Sequence, residues 1–331
     1  MIVALDESYR SSGPDPFPGH ETVYFDRRVD EQTIMALFEQ ANAIGLRGRT
    51  PVVFSRERVA SLPRLQFIQK GGTGVDTLYD MDAITEHGIL FSNNAGLNAA
   101  AVADHALLLA LLSLHDVYRH LTNMRGGLWD PYAPWAGAHQ LEGKTVGVVG
   151  MGAIGTHVAR RFLGFGAQVV AYDAYPSNAA TILGGVRWVT LDELLRISDV
   201  VTLHVPLLKE TEGLIGAREL SLMKRTAVLV NTCRGEVVDE IALYEALTSG
   251  RLRAAGLDVF AKEPPDPANK LLGLENVFAT PHLGGFSLEQ DEIQAEGTLD
   301  NIRRFLAGHV PLRLINPQVL KSKARRASAL Q

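Results

Sequence analysis

The sequence predicts an α/β protein built from two Rossmann-like, doubly wound domains with parallel sheets, the first of them discontinuous. Three observations predict this. Lys144 to Asp173, KTVGVVGMGAIGTHVARRFLGFGAQVVAYD, runs strand, glycine turn, helix, strand and terminal acid. From there to Thr280, short apolar runs alternate with helical patterns, as parallel strands and their crossover helices require. The residues up to Ser92 show a βα alternation of their own, on the scale of a domain of about a hundred residues.

In order, Ile2–Leu5 and Thr22–Phe25 read as strands around a Pro- and Gly-rich loop at 11–19. Glu31–Ile44 spaces Ile34, Leu37, Phe38, Ala41 and Ile44 as one helical face. Val52–Phe54 and Leu65–Gln69 read as strands, the latter leading into Lys70-Gly71-Gly72-Thr73-Gly74. A helix at Met81–Glu86 and a strand at Ile89–Ser92 follow. Asn98–Met124 is one long helical pattern, so apolar in its first half that it belongs at an interface between domains or subunits. Arg125–Gln140, with Trp129, Trp135, Pro131 and Pro134, has little periodicity and reads as an arm that packs on a partner subunit.

Beyond the glycine turn, strands fall at 168–172, 200–205, 227–231, 254–260 and 277–280, and helices at 191–197, 217–223 and 240–249. Leu288–Gly308 returns as a helix to the first domain. The domains are thus 1–97 with 291–331, and 98–290. The basic residues Lys321, Lys323, Arg325 and Arg326 read as a solvated tail.

Composition sets limits. The chain has 331 residues, 46% hydrophobic and 21% charged, with a net charge of −5. That balance gives no general attraction to nucleic acid or to an anionic membrane. The one cysteine, Cys233, excludes an intrachain disulfide and suits a reducing compartment. The first ten residues are too short and too acidic for a signal peptide. Asp104 and His105 interrupt the most apolar stretch, 95–114, which reads as a buried helix and not a membrane span. A cytoplasmic protein is expected. No metal site is expected: His115 and His120 do not share a helix face, and no H-E-x-x-H occurs.

Gly150, Gly152 and Gly155 form G-x-G-x-x-G at the turn into a helix. The first permits a tight turn, the second lets backbone approach a pyrophosphate, and the third lets helix and strand pack closely. Ala153 and Ile154 open the helix, whose unpaired N–H groups suit the phosphates. Asp173 ends the next strand, placed to accept from both adenosine ribose hydroxyls and to repel a 2′-phosphate. The cofactor implied is NAD(H) in preference to NADP(H). Polar residues stand at the other apolar strand ends: His204 with Pro206, Asn231-Thr232-Cys233-Arg234-Gly235, Asp258 with Glu263, and Pro281-His282. Packing alone does not explain an Arg, a His and an acid on one edge.

GVVGMGAIG (147–155), LHVPLLKETEGLI (203–215), NTCRG (231–235), GLDVFAKEP (256–264) and TPHLGG (280–285) stand in the order found in one family. GGTGVD (71–76), NNAGLN (93–98) and AVADHALLLALL (101–112) extend the match. The chain resembles the NAD-dependent D-isomer-specific 2-hydroxyacid dehydrogenases, which include phosphoglycerate, glyoxylate/hydroxypyruvate and D-lactate enzymes. The resemblance implies hydride transfer between NADH and a small 2-keto acid, or the reverse, with glyoxylate/hydroxypyruvate or 3-phosphoglycerate as the substrate class. It implies His282 as proton donor, Glu263 orienting its ring, and Arg234 gripping carboxylate and keto oxygen.

Along the cofactor it places His204, Pro206, Thr211, Cys233, Asp258 and Gly284, with Asp258 accepting from the carboxamide and Cys233 as a wall, not a nucleophile. The amides of Gly72, Thr73 and Gly74 would nest the substrate carboxylate, with Lys70 beside them for a phosphate or second carboxylate. A substrate cleft between the domains, a homodimer, and Trp135 reaching a neighbouring subunit's active site are also expected. No regulatory domain is visible after the last helix, unlike many phosphoglycerate dehydrogenases. The alternative is an NAD-sensing binding protein akin to the C-terminal-binding-protein co-repressors.

Overall fold

The computed structural model describes residues 1–10, 15–48, 50, 52–75, 78–115, 117–129, 137–176, 178 and 183–326. In chain order the strands are β1 Ile2–Asp6, β2 Glu21–Phe25, β3 Ala43–Leu46, β4 Phe67–Lys70, β5 Leu90–Ser92, β6 Thr145–Val149, β7 Gln168–Tyr172, β8 Val186–Trp188, β9 Val200–Leu203, β10 Val228–Asn231, β11 Ala254–Leu257 and β12 Val277–Ala279. The helices are α1 Glu31–Phe38, α2 Arg56–Ala60, α3 Met81–Glu86, α4 Ala99–His115, α5 Val117–Arg125, α6 Ala153–Gly164, α7 Leu191–Ile197, α8 Ala217–Leu222, α9 Glu240–Thr248 and α10 Leu288–Leu306. Two compact units result, Met1–Asn98 with Ser287–Gln331, and Ala99–Phe286.

In the first unit the described strands form one parallel sheet ordered β2-β1-β3-β4-β5. Side chains alternate across it. Ala4, Ile44, Ile68 and Phe91 meet Ile34, Phe38, Val59 and Ile84 of α1–α3 on one face. Val3, Leu5, Phe67 and Leu90 meet Ile302 and Phe305 of α10 on the other. The long C-terminal helix therefore completes the core of the unit that the first residues began.

Several sequence expectations are corrected here. The helix beginning at Glu31 ends at Phe38, and Ala43–Leu46 is a strand. Ala41 and Ile44 are buried, but Ile44 is buried as the middle of a sheet, a fate that apolarity alone does not distinguish from a helix face. At 52–54 no strand forms; Phe54 makes only an isolated bridge to Tyr79. The basic tail is not simply solvated. The Arg326 guanidinium donates to the carbonyls of Leu62 (2.5 Å) and Leu65 (3.1 Å), its backbone N–H donates to Gly88, and burial pushes its pKa down.

In the second unit the described strands are again parallel, ordered β12-β11-β10-β9-β6-β7-β8. The order reverses between β6 and β9, the place where open α/β sheets bind ligands outside the strands' carboxyl ends. Val146, Val148, Val200, Val228 and Val230 face α4 and α6. Val149, Val201, Leu203, Leu229 and Leu257 face α7, α8 and α9. The single helix expected over 98–124 is two helices, α4 and α5. The apolarity of α4 serves this unit's own core: Ala103, Ala106, Leu109 and Ala110 are fully buried there, and Leu109 would touch any Cβ placed on Gly256 of β11. Among the described residues no single helix is long and apolar enough to cross a membrane. The arm expected at 125–140 lies partly outside the described residues, including Pro131, Pro134 and Trp135.

Candidate active site

The carboxyl ends of the second sheet carry the sequence-predicted groups. Gly150 follows β6, Asp173 follows β7, His204 follows β9, Arg234 lies just past β10, Asp258 follows β11, and His282 lies just past β12. Because the strands are parallel neighbours, these residues share one edge. Backbone bonds continue past the strands proper: His204 donates to Val149 (2.7 Å), Asp258 to Asn231 (2.9 Å), and Thr280 to Leu257 (2.9 Å).

The glycine turn is built from close contacts. Gly150 has φ +93° and donates to Tyr172; a Cβ there would lie 2.6 Å from the His204 carbonyl. A Cβ on Gly155 would lie 1.9 Å from the Gly150 oxygen, so α6 starts as near the turn as backbone permits. Gly152 is different. A Cβ there would meet no protein atom within 4 Å, so the protein itself gives no reason for a glycine. Gly152 is the N-cap of α6 with no side-chain cap, and Gly152, Ala153 and Ile154 open the first turn, whose N–H groups have no intrahelical acceptors. Asp173 Oδ2 accepts from Met151 N–H (2.8 Å) and Oδ1 from Tyr175 N–H (2.9 Å). A carboxylate has about four acceptor positions, so two remain for a ligand.

Past β9, the Thr211 hydroxyl donates to the Pro206 carbonyl (2.7 Å) and accepts from Leu208 N–H (2.8 Å), closing a short turn. His204 Nε2 lies 2.8 Å from the Thr202 hydroxyl, while Nδ1 is buried without a partner. Burial pushes the ring's pKa down to about 3, so it stays neutral. Past β10, Asn231 holds the next turn: its Oδ1 accepts from Cys233 N–H (3.0 Å) and its Nδ2 donates to the Arg234 carbonyl (2.8 Å). Burial pushes the Cys233 thiol up to about 11, which makes it a packing group and not a thiolate. A Cβ on Gly235 would lie 1.9 Å from Phe260 C, so the Arg234 turn sits directly on the segment leading to Glu263.

His282 and Glu263 form a close pair past β12 and β11. His282 Nδ1 is 2.8 Å from Glu263 Oε2, and Glu263 Oε1 accepts from Phe260 N–H at 3.3 Å. The imidazole is 48% exposed, with Nε2 the nitrogen left outside this pair. His282 has φ +55°, a conformation a histidine rarely adopts unless its surroundings impose it. The imposing group is Asp258. Its Oδ1 accepts from the Thr280 hydroxyl (2.6 Å) and Leu283 N–H (2.7 Å), its Oδ2 from Gly284 N–H (2.8 Å), and its backbone carbonyl from His282 N–H (2.8 Å). His105 Nε2 of α4 completes the cluster, 2.8 Å from the Thr280 hydroxyl and 3.3 Å from Asp258 Oδ1. Burial raises the Asp258 pKa, but hydrogen bonds from His105, Thr280, Gly284 and Leu283 outweigh it and hold the carboxyl below the usual carboxylate range.

The resemblance implies a cofactor contact for Asp258; in the structure its bonds shape the loop that carries His282. The work of Thr280, Asn231 and Met151 was not foreseen. The signals were present, a hydroxyl and an amide at strand ends, but their partners are distant in sequence or lie in backbone.

Lys70, Gly72, Thr73 and Gly74 belong to the first unit, at the carboxyl end of β4. Lys70 is buried and its Nζ donates to the Gly71 carbonyl (3.0 Å). Gly72 N–H donates to Gln294 Oε1 of α10 (2.7 Å). Among the described residues no acceptor takes the N–H of Thr73 or Gly74. No group of three or more His, Cys, Asp or Glu able to hold a metal is found among the described residues.

Residues 106–284 match the model of the D-isomer specific 2-hydroxyacid dehydrogenase NAD binding domain. The chain belongs to that family. It is 40% identical to a glyoxylate reductase of Korarchaeum cryptofilum over 78% of each chain. A D-3-phosphoglycerate dehydrogenase of Mycobacterium bovis is 38% identical over 84% of this chain, which spans about half (52%) of that relative. Among solved structures, an acyclic imino acid reductase (Bsp5) in complex with NADPH and D-Arg superposes with a TM-score of 0.82 at 27% identity, covering 95% of this chain and 100% of that one.

The site fits a dinucleotide. Gly152, the uncapped start of α6, the spare acceptor positions of Asp173 and the buried polar atoms His204 Nδ1 and Thr232 Oγ1 are the groups that would hold it.

Two expectations follow. Asp258→Asn replaces an acceptor with a donor among four donors, so the loop carrying His282 loosens: kcat falls by about tenfold or more and stability by about 1–3 kcal/mol. Steady-state kinetics with thermal melts check this, and a wild-type kcat would remove the anchoring role. The second concerns acid. Between about pH 3 and the unfolded imidazole value of about 6.5, the unfolded chain binds a proton at His204 that the folded chain does not, so stability falls as pH falls through that window. Urea midpoints should drop less between pH 7.5 and 4.5 in His204→Gln than in the wild type, by at most about 3 kcal/mol; parallel curves contradict it.

Proposed function

We propose that this chain is an NADH-dependent reductase of small 2-keto acids, of the glyoxylate/hydroxypyruvate kind, working in the cytoplasm as a homodimer. The observation that carries the reaction type is the 2.8 Å pair of His282 Nδ1 and Glu263 Oε2, which leaves Nε2 as the proton-transferring nitrogen. Glu263 holds the ring in one orientation and compensates its charge. Arg234 grips the substrate carboxylate and polarises the carbonyl through a planar fork that a lysine lacks. The bound cofactor supplies the hydride. The spare amides of Thr73 and Gly74 receive the carboxylate.

The cations near that loop support this substrate class. Lys70 is buried against the Gly71 carbonyl, and Arg47, at the end of β3, donates to the Ser8 carbonyl (2.8 Å) and pairs with Asp291. Both are engaged by the fold, which suits a substrate with one carboxylate better than one carrying a phosphate as well. The carboxylate of Asp173 favours NADH by repelling a 2′-phosphate.

Dimerisation is supported by α5 and the residues after it. No residue of α5 is buried, and Tyr118, Leu121, Met124, Leu128 and Trp129 are exposed, a patch that a second copy would cover. Analytical ultracentrifugation should find a dimer, converted largely to monomer by Leu121→Asp; a wild-type monomer sinks this part. The reductase reading is tested by NADH and NADPH oxidation against glyoxylate, hydroxypyruvate, phosphohydroxypyruvate and pyruvate. Glyoxylate or hydroxypyruvate with NADH should give the highest kcat/KM. Preference for phosphohydroxypyruvate, or equal use of NADPH, overturns the corresponding part. No turnover of any keto acid, together with an NAD-induced change of assembly, replaces the enzyme by an NAD-sensing binding protein.

A further inference from the structure

The anion loop of the first unit is not held by backbone alone. Its Gly72 N–H points at a side chain of α10, Gln294 Oε1, at 2.7 Å. A backbone N–H requires an oxygen opposite it, and this fixes which way the amide of Gln294 is turned. Nε2, with two protons to donate, is therefore the free end of that amide. Among the described residues no acceptor takes it, and Gln294 is only half-buried. A donor that no described protein group takes is thus held, through Oε1, on Gly72, the residue before Thr73 and Gly74, whose own N–H groups are in the same condition.

The surroundings hold this amide in place. Asn94 Nδ2 donates to the Gln294 backbone carbonyl (3.0 Å) and to the Thr298 hydroxyl (3.0 Å), while Asn94 N–H donates to the Gly72 carbonyl (2.9 Å). Behind Asn94, Gln69 Nε2 donates to its Oδ1 (3.0 Å), and Asn301 Nδ2 donates to Gln69 Oε1 (2.7 Å). Gln69, Asn94, Thr298 and Asn301 are all at most 1% exposed. Burying four polar side chains is unfavourable unless each is satisfied, and an apolar packing would join β4, β5 and α10 equally well. What the polar chain adds is position: it ties α10 to the loop at Gly72 from both sides.

We propose that Gln294 is a specificity-determining residue of the substrate site: its Oε1 fixes the loop through Gly72, and its Nε2 donates to the substrate carboxylate beside the Thr73 and Gly74 amides. This rests on the reading that the loop receives the keto-acid carboxylate. It assigns Gly72 a different part from its neighbours, since its N–H is spent on Gln294 and not on the anion. A neutral donor suits a monoanionic substrate: it adds a hydrogen bond without the long-range pull of a cation, which would equally hold inorganic anions.

Gln294→Glu separates the two tasks. The carboxylate still accepts from Gly72 N–H, so the loop stays, but the donor facing the anion becomes a negative oxygen. At about pH 8 the keto-acid KM should rise by about tenfold or more, with kcat changed by less than about threefold and the NADH KM unchanged. The gap should narrow toward about pH 5, as the new carboxyl approaches its titration near about 4.3. A residue that merely braced the loop would show neither effect, and a wild-type KM in Gln294→Glu overturns the proposal. Gln294→Met, without charge, guards against misfolding of that variant: it should raise the keto-acid KM by a few-fold with no pH dependence, and an unchanged KM again overturns it. Wild-type enzyme that reduces no 2-keto acid instead overturns the reductase reading itself.

Discussion

Parallel pairing is the constraint from which the chemistry of the second unit follows. Strands that all run the same way end on the same edge, and with the order β12-β11-β10-β9-β6-β7 six consecutive neighbours deliver six loops there. None of those loops need be long, because the sheet has already brought them together. The glycine turn after β6 lies against the His204 carbonyl after β9, and the Gly235 backbone against Phe260 after β11. Each contact is so close that a methyl group would not fit. The edge is a packed surface of backbone on which a few polar side chains are held at defined places, as a reaction that depends on orientation requires.

Asp258 illustrates what that precision costs. A carboxylate buried to 2% exposure is unfavourable unless most of its acceptor positions are filled, and here the Thr280 hydroxyl, the N–H groups of Leu283 and Gly284, and His105 fill them. The same bonds bend the chain so that His282 adopts a left-handed backbone and turns its imidazole to Glu263. One buried charge therefore sets the position of the exposed ring. In the first unit, the chain of amides from Asn301 to Gln294 acts similarly on the Gly72 loop, with neutral groups in place of a charge.

Much of this was legible in the residues. Strands buried on both faces announce themselves as unbroken apolar runs, so β6, β7 and β9–β12 were readable, as was the helix α7 between two of them. Glycines leave a spaced signature: Gly150 and Gly155 stand where backbone approaches backbone, and Gly152 between them where a side chain would meet no protein atom. What could not be read were groups whose role lies in a partner far along the chain. β3 hid inside an apparent helix because it is buried on both faces and so shows no alternation, while Ile44 continues the helical spacing of Ile34, Leu37, Phe38 and Ala41. Arg326 looked like a solvated cation because its acceptors are the carbonyls of Leu62 and Leu65, invisible to any pattern of side chains. Gln294 carried no motif at all; its meaning comes from one N–H more than two hundred residues earlier.

Family membership sets the enzyme class, and the proposed site offers a paired imidazole, a guanidinium past β10, and a turn open to a dinucleotide. The central claim is that His282 and Glu263 act as one proton-transferring unit. A double-mutant cycle in kcat/KM for glyoxylate tests it most directly, using Glu263→Gln, His282→Asn and the pair together. If the two side chains form one unit, the double variant is scarcely worse than His282→Asn alone, because the carboxylate has nothing left to orient. Losses that multiply would mean that the two act independently, and would contradict the account.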